Sequence, residues 1–532
     1  MNKIAVLDCT LRDGGYIVDK YFGESVITGI VNGLVEAGVD YVEIGFLQNE
    51  GHADGKTIFL NSKDAQKYIP NNRKKTMFTV LADYSRYDIK NLDTYTGESF
   101  DCVRACFFKS EREQVIDFCK EIKRKGYKLF VQPVDILGYS DYEILDLIKE
   151  INMIEPYCFS IVDTFGSMYE KDLDRVFQLI DHNLVSSCSL GFHSHNNLQM
   201  SNALSQSFIE MGLGKRDVVV DSTLSGMGRG AGNTPTELIV QYLVSQKGKD
   251  YDLDYILDSI DMYINNISLK NKWGYNTSYF IAGCFSAHVN NIAYLLKKNS
   301  ITSKDIRYIV NSLSKESRKK YDYDLLEEAY INYINLEADD SDNFTNLKEI
   351  LSGKNILLLA PGKSLLTEQD KINQYIEKNN SIIIAINRVP EFIEPDFVYM
   401  NSVKHYKQWI NESPMKSTKL IVASNVHVEK GSNCIVISAH RLMKAGWQHM
   451  DNSAIWALRM LNQLEVAKIG IAGMDGFSHN LEKNYVDKKM EIANIYDDFQ
   501  EINKEIKEML NDFMYHKRSD LKVEFVTTSR FA

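Results

Sequence analysis

The chain has 532 residues, 44% of them hydrophobic and 25% charged, with only 8 prolines, the composition of a folded globular protein long enough for more than one domain. Its 72 acidic and 61 basic residues give a net charge of −11, which argues against nucleic acid as its partner. No apolar run reaches the ~18 residues that would span a bilayer.

Short apolar runs recur from the start. Ile4–Leu7, Tyr41–Phe46, Met77–Leu81, Cys102–Phe107, Lys128–Val134, Cys158–Val162, Leu190–Phe192 and Asp217–Val220 read as strands. Stretches of helical period lie between most of them, such as Glu24–Glu36 and Glu111–Lys125. Eight strands alternating with helices predict an α/β fold built on a (β/α)8 barrel, with a doubly wound open sheet as the rival. Chemistry in such a barrel sits where the strands end. The polar residues fall there: Arg12 and Asp13 after the first strand, Glu43 in the second, Asp163 after the sixth, His193 and His195 after the seventh.

Arg12-Asp13 reads in isolation as a surface ion pair in a glycine-rich turn, an interaction that contributes little. The stretch Gly191-Phe-His-Ser-His-Asn-Asn197 changes its weight. His193 and His195 are two apart, so an extended chain points both to one face. In a closed barrel the first strand lies near the seventh, and Asp13 would then supply a carboxylate beside two imidazoles. Two nitrogens and one oxygen suit a divalent ion such as Mn, Mg, Co or Zn. After the eighth strand, glycines at 226, 228, 230 and 232 read as either a phosphate-cradling loop or a plain flexible one.

Leu7-Asp-Cys-Thr-Leu-Arg-Asp-Gly14, His193-Ser-His-Asn-Asn-Leu198 and Gly226-Met-Gly-Arg-Gly-Ala-Gly-Asn233, followed by Pro235 and Glu237, resemble the metal-dependent barrel superfamily of pyruvate aldolases, 3-hydroxy-3-methylglutaryl-CoA lyase and 2-isopropylmalate synthase. The likeness covers roughly residues 3 to 295. It is strongest to 4-hydroxy-2-oxovalerate aldolase, which reads HxHxNL where the synthases read HxHND. Asp163-Thr-Phe-Gly166 is similar to that family's sixth-strand end. The resemblance implies that Asp13, His193 and His195 are the metal ligands and that Arg12 stabilises an enolate. It also implies that Glu43, Asp163 and Asn233 line the substrate. The substrates would be a 2-oxo acid and an aldehyde, in a homo-oligomeric enzyme. Where the aldolases carry a histidine after RDG, this chain has Tyr16, and a tyrosine is a poor base at neutral pH. His52, Glu43 and Tyr275 are the other candidates for the base.

Domains are expected at 1–250 (barrel), 251–336 (a helical extension), 337–353 (an acidic linker) and 354–532. The last begins Lys354-Asn-Ile-Leu-Leu-Leu-Ala-Pro-Gly-Lys-Ser364. Its GKS is not an NTPase loop, because position 357 is Leu where that motif needs glycine. Repeated β-α units predict a Rossmann-like sheet with ligands at strand ends. Ala360–Leu365, Asn387, Ser453 and Gly473-Met-Asp475 resemble, more faintly, bacterial sialyltransferase-like domains. That likeness implies a nucleotide or nucleotide-sugar held near Gly362, Ser364, Asn387 and Asp475, and hints at surface-polysaccharide precursors.

The eight cysteines, scattered without a CxxC pair, and the lack of a leader pattern suit a cytoplasmic protein with no membrane attachment. The sequence thus reads as a metal-dependent carbon–carbon lyase fused to a nucleotide-binding domain. The alternatives are an acyl-CoA-dependent condensing synthase on the same barrel, or a glycosyltransferase that uses the barrel as a scaffold.

Overall fold

In a computed structural model the chain is described at residues 3–298, 301–334, 338–412, 418–428, 434–478, 484–486 and 499–532. It forms two compact units, one comprising the chain up to Ile292 with Arg318–Lys320, the other Ala293–Ser317 with Tyr321–Ala532.

The first unit holds eight parallel strands: β1 (Ile4–Asp8), β2 (Tyr41–Leu47), β3 (Met77–Asp83), β4 (Cys102–Phe107), β5 (Lys128–Pro133), β6 (Cys158–Asp163), β7 (Ser189–Ser194) and β8 (Val218–Ser222). Each pairs with its neighbour in sequence, and β1 pairs with both β2 and β8, which closes the barrel. The eight expected strands are therefore the eight observed, each within a few residues. A two-residue strand, Ile58–Phe59, adds to β2. The helices cover the outside, as in Glu24–Glu36, which buries Ile27, Ile30, Val31, Leu34 and Val35.

Side chains alternate along a strand, and inside a barrel this stacks them in layers. Tyr41, Phe130, Cys102, Cys158 and Val219 pack together as a lower, apolar layer. Two residues further along the same strands come Glu43, Gln132, Arg104, Ser160 and Asp221, all buried. The upper layer is thus polar and stands directly beneath the C-terminal mouth.

Beyond the barrel the chain is helical. Leu253–Ser259 runs through Ile260–Ile264 into Asn265–Lys270, and further helices follow to Tyr323–Ile334. The boundary between the units falls within this stretch, at Ile292. The expected linker is not one: Glu337 lies outside the described residues, while Ser341–Leu351 is a helix that buries Leu347 and Leu351. Its acidic lead-in is paired, since the Asp340 carboxylate accepts from Ser438 N and from Arg441 Nε, both at 2.8 Å.

The second unit contains a seven-stranded parallel sheet: β9 (Asn355–Leu359), β10 (Ile382–Ile386), β11 (Phe397–Met400), β12 (Lys419–Ala423), β13 (Cys434–Ile437), β14 (Lys468–Ala472) and β15 (Lys522–Phe525), in the order β13-β12-β11-β10-β9-β14-β15. The strand order reverses at β9, and in open parallel sheets the crevice for ligands forms at such a reversal. Among the described residues no helix is long and apolar enough to cross a membrane.

Candidate metal centre

The turn after β1 is held from both sides. Asp13 N and Arg12 N donate to Cys9 O. Asp8 accepts from Thr10 N and from the Thr236 hydroxyl, and Thr10 Oγ1 accepts from Leu224 N. The turn is thereby locked to the loop after β8, with Arg12 and Asp13 facing the mouth.

Arg12 donates from Nε to Glu43 Oε2 and from Nη1 to Asp13 Oδ1, both at 2.6 Å. Glu43 Oε2 also accepts from Arg104 Nη1 at 3.1 Å, and Arg104 Nη2 pairs with Asp221. Asp221 Oδ2 lies 3.0 Å from His193 Nδ1. One continuous chain of buried charges therefore runs Asp13–Arg12–Glu43–Arg104–Asp221–His193. The His193 and His195 rings stand 5.1 Å apart and nearly perpendicular. Asp13, His193 and His195 each bring one ligand atom within 4.8 Å of the others.

Burial disfavours the charge on Asp13, but Arg12 and the two imidazoles outweigh it and hold the carboxyl well below its usual range. Burial pushes the His195 imidazole down to about 3, so it is neutral at physiological pH and able to hold a metal. Asp221 is lowered too, because Arg104 and His193 overcome its burial. By taking His193 Nδ1 it leaves Nε2 for a metal, the usual carboxylate–histidine support.

Asn233 completes the fit. Its Nδ2 donates to Asp13 Oδ2 at 2.6 Å, while its buried Oδ1 has no partner. A lone buried carbonyl oxygen beside a carboxylate and two neutral imidazoles is a donor set that a divalent cation satisfies. The second cluster, Cys9 with His193 and Asp221, is not comparable. Burial raises the Cys9 thiol far above neutrality, and it donates to Ser222 O.

The other expected site residues are placed differently. Glu43 is fully buried and bridges two arginines through Oε2, while its Oε1 has no partner. Asp163 ties its own loop, accepting from Ser167 N, Met168 N and Ser194 Oγ. Tyr16 lies under the Arg229 guanidinium, 4.0 Å from the ring centroid. Burial raises its hydroxyl above the usual tyrosine value despite Arg229 and Arg12, which disfavours it as a base at neutral pH. His52 Nδ1 is 2.8 Å from Ile58 O and its ring stacks on Phe59, and Tyr275 is exposed.

Several amides of the glycine loop are already taken. The loop closes on itself through Asn233 N to Gly226 O and Gly232 N to Arg229 O, while Ala231 N donates to Asn197 Oδ1. At Gly232, with φ +82°, an added Cβ would stand 2.0 Å from Gly226 O. Arg104 and Asp221 were not anticipated. Their only signal is a charge inside otherwise apolar strands, Val103-Arg104-Ala105 and Val219-Val220-Asp221.

In the second unit, Asp475 caps the first turn. Ser364 N donates to its Oδ2 at 2.7 Å, and Ser364 Oγ reaches both Asp475 Oδ1 and Thr527 Oγ1. Gly362 fits because any Cβ would meet Gly473 O at 2.2 Å. The expected phosphate amide is thus already taken by a carboxylate. Asn387, in the left-handed region at φ +60°, donates to Ser453 Oγ, and its buried Oδ1 has no partner. Asn387 and Ser453 line a cavity of about 170 Å³ at the C-terminal ends of β9, β10, β11 and β14.

A closed parallel barrel with two histidines and an aspartate at its C-terminal mouth defines the class: a divalent-metal-dependent aldolase/lyase barrel. Residues 3–263 match the HMGL-like family model. The oxaloacetate decarboxylase of Mycobacterium tuberculosis (strain ATCC 25618 / H37Rv) is 29% identical over 261 residues, covering 48% of this chain and 74% of that protein. The 4-hydroxy-2-oxovalerate aldolase of Moorella thermoacetica (strain ATCC 39073 / JCM 9320) is 28% identical over 324 residues, covering 57% and 90%. The Bacillus subtilis HMG-CoA lyase structure is 16% identical, with a TM-score of 0.40, covering 50% of this chain and 95% of that one. Over residues 3–263 the chain is thus similar to HMGL-like aldolases and lyases, which supports a carbon–carbon lyase.

Two measurements follow from this geometry. Asp13→Asn and His193→Ala should each abolish stoichiometric Mn2+ binding in a competition assay against a fluorescent chelator. Asp221→Asn should weaken it by about 10–100-fold, the usual effect of losing an outer partner. Unchanged affinity in the first two would remove the ligand assignment.

Asp163 provides a pH test. Burial raises its carboxyl from 3.8 to about 7. Below the unfolded value the group is protonated in both states and costs nothing. Above the folded value it is ionised in both, and the fold carries the full penalty, on the order of 4 kcal/mol at ~1.4 kcal/mol per unit. This group therefore makes stability fall as pH rises from about 4 to 7. In urea unfolding, Asp163→Asn should narrow the stability gap between pH 5 and pH 8 by about 2.5 kcal/mol. An unchanged gap would show that Asp163 ionises normally in the fold.

Proposed function

We propose that the barrel makes or breaks a carbon–carbon bond of a 2-oxo acid, of the 4-hydroxy-2-oxo acid type, with an aldehyde as second partner. The observation that carries this is the state of Arg12. Its Nε and Nη1 are fixed by Glu43 and Asp13, and its Nη2 has no protein hydrogen bond among the described residues. A guanidinium pinned by two nitrogens presents the third in a fixed direction, beside the metal ligands.

A divalent ion held by Asp13, His193 and His195 supplies Lewis acidity toward a keto oxygen. The chain's own groups do the rest. Arg12 offers a preorganised N–H where negative charge gathers as the bond breaks, in a buried site where such a donor is worth more than in water. Asn233 and Arg12 fix both oxygens of Asp13. Tyr16 keeps its proton and acts as a donor.

This reading is preferred to a scaffold barrel, because a structural barrel has no need of the buried, charged Asp13–Arg12–Glu43 set. It is preferred to an acyl-CoA-dependent synthase because of the HxHxNL pattern at 193–198.

Metal-loaded protein should exchange the C3 protons of pyruvate with solvent deuterium, followed by NMR. Arg12→Lys should slow exchange by about 10²-fold, because a point charge on a flexible stem does not reproduce the planar fork. Undiminished exchange in that variant would leave Arg12 a structural ion-pair partner only.

For the second unit the reading is a nucleotide or nucleotide-linked ligand in the cavity beside Asn387 and Ser453. The support is its position at a strand-order reversal and the unpaired Asn387 Oδ1. Since Asp475 occupies the Ser364 amide, a phosphate would lie away from that turn. Calorimetry of the full chain against CMP, UMP, AMP and GMP should show binding to at least one. Asn387→Ala should weaken it about tenfold, one hydrogen bond's worth. No heat with any of the four at millimolar concentration would remove the nucleotide reading.

A further inference from the structure

Arg229 has no counterpart in the charge chain that holds the metal ligands. It sits between Gly228 and Gly230 in the loop after β8. The backbone there is close to the site: a Cβ on Gly228 would lie 3.2 Å from Asp13 Oδ2 and 2.3 Å from Asn233 Nδ2. The guanidinium lies over the ring of Tyr16, 4.0 Å from its centroid, and Tyr16 in turn packs edge-on against Phe46. Arg229 forms no ion pair among the described residues, although it is near enough to Asp13 and His195 to act on both. The Tyr16 hydroxyl has no protein hydrogen bond there either.

A guanidinium stacked on a ring keeps its edge free, and that edge carries the N–H groups that meet a carboxylate or phosphate bidentately. The local charge favours such a partner. Asp13, Glu43 and Asp221 set against Arg12 and Arg104 leave one negative charge. Arg229 cancels it. A divalent ion on Asp13 with the two neutral imidazoles then leaves two positive charges in a largely buried mouth. A ligand with a single negative charge balances only half of that, whereas a dianion balances it.

We infer that Arg229 and Tyr16 form an anion subsite beside the metal centre, and that the substrate carries a second anionic group, a carboxylate or a phosphate, in addition to its 2-oxo acid end. The inference rests on the 2-oxo acid reading of the barrel and deepens it. Arg12 is committed to the reacting oxygen; Arg229 reads the far end of the substrate and sets specificity.

The test is a comparison of isosteres on the full chain with saturating Mn2+, read by calorimetry, so that binding is measured without turnover. 2-Oxopentanoate has an uncharged tail; 2-oxoglutarate puts a carboxylate on a five-carbon chain of the same length; 4-phosphono-2-oxobutanoate puts a phosphonate there. Wild type should bind at least one of the anionic pair about tenfold or more tightly than 2-oxopentanoate, and the member preferred identifies the group. Arg229→Gln, which keeps hydrogen-bonding capacity and loses the charge, should bring that ratio to within about threefold of one. Equal binding in wild type, or a preference that survives in Arg229→Gln, overturns the subsite and leaves the 2-oxo acid reading standing. Binding of none of the three overturns both. Should the variant fail to fold, the wild-type comparison alone decides.

Discussion

The barrel depends on the buried chain of charges from Asp13 through Arg12, Glu43, Arg104 and Asp221 to His193. Taking so many charges out of water is expensive, and each is tolerable only while its partners are in place. Those partners come from different strands: Glu43 from β2, Arg104 from β4, Asp221 from β8 and His193 from β7, with Arg12 and Asp13 just past β1. No open arrangement of the same strands brings them together. Closure of the barrel and assembly of the site are one requirement, and the rigidity of the ligands follows from the cost of leaving any member of the chain unpaired.

The division of the barrel interior serves that requirement. The lower layer of Tyr41, Phe130 and Val219 is apolar and holds the strands. The upper layer, two residues on, is polar and holds the ligands. In each unit one buried atom without a partner lies at the candidate site. In the barrel mouth Asn233 Oδ1 is buried without a partner. In the second unit both Ser364 donors are spent on Asp475 and Thr527, and a buried oxygen without a partner lies at Asn387. A strand-turn-helix at a sheet edge is therefore insufficient evidence of a phosphate site. The carboxylate of Asp475 fills the position a phosphate would take.

What the sequence reveals and conceals follows from the reach of each interaction. Barrel strands are covered on both faces, so they read as continuous apolar runs, and all eight were legible. Asp13, His193 and His195 were legible because ligand types at fixed local spacing are unusual. Arg104 and Asp221 were not, since their partners lie 61 and 117 residues away, and a single charge in an apolar strand has no local explanation. The stretch 337–353 misled for a related reason. Its acids looked solvated, yet Asp340 is bound to Ser438 and Arg441, 98 and 101 residues on. The four glycines after β8 suggested a ligand cradle. At Gly226 and Gly232, whose backbones touch, they serve a tight self-closing turn.

The change at position 16 carries the widest consequence. An imidazole there could move a proton at neutral pH. Tyr16 is the poorer base, because burial raises its hydroxyl above the usual tyrosine value, and Arg229 lies over its ring. The two residues come from loops after β1 and β8, adjacent strands at the seam where the barrel closes. What the mouth gains is a fixed cation and a fixed hydroxyl donor. Both favour negative charge already present on the substrate, and neither accepts a proton. On the proposed reading, Arg12 acts where charge develops and Arg229 where it already resides.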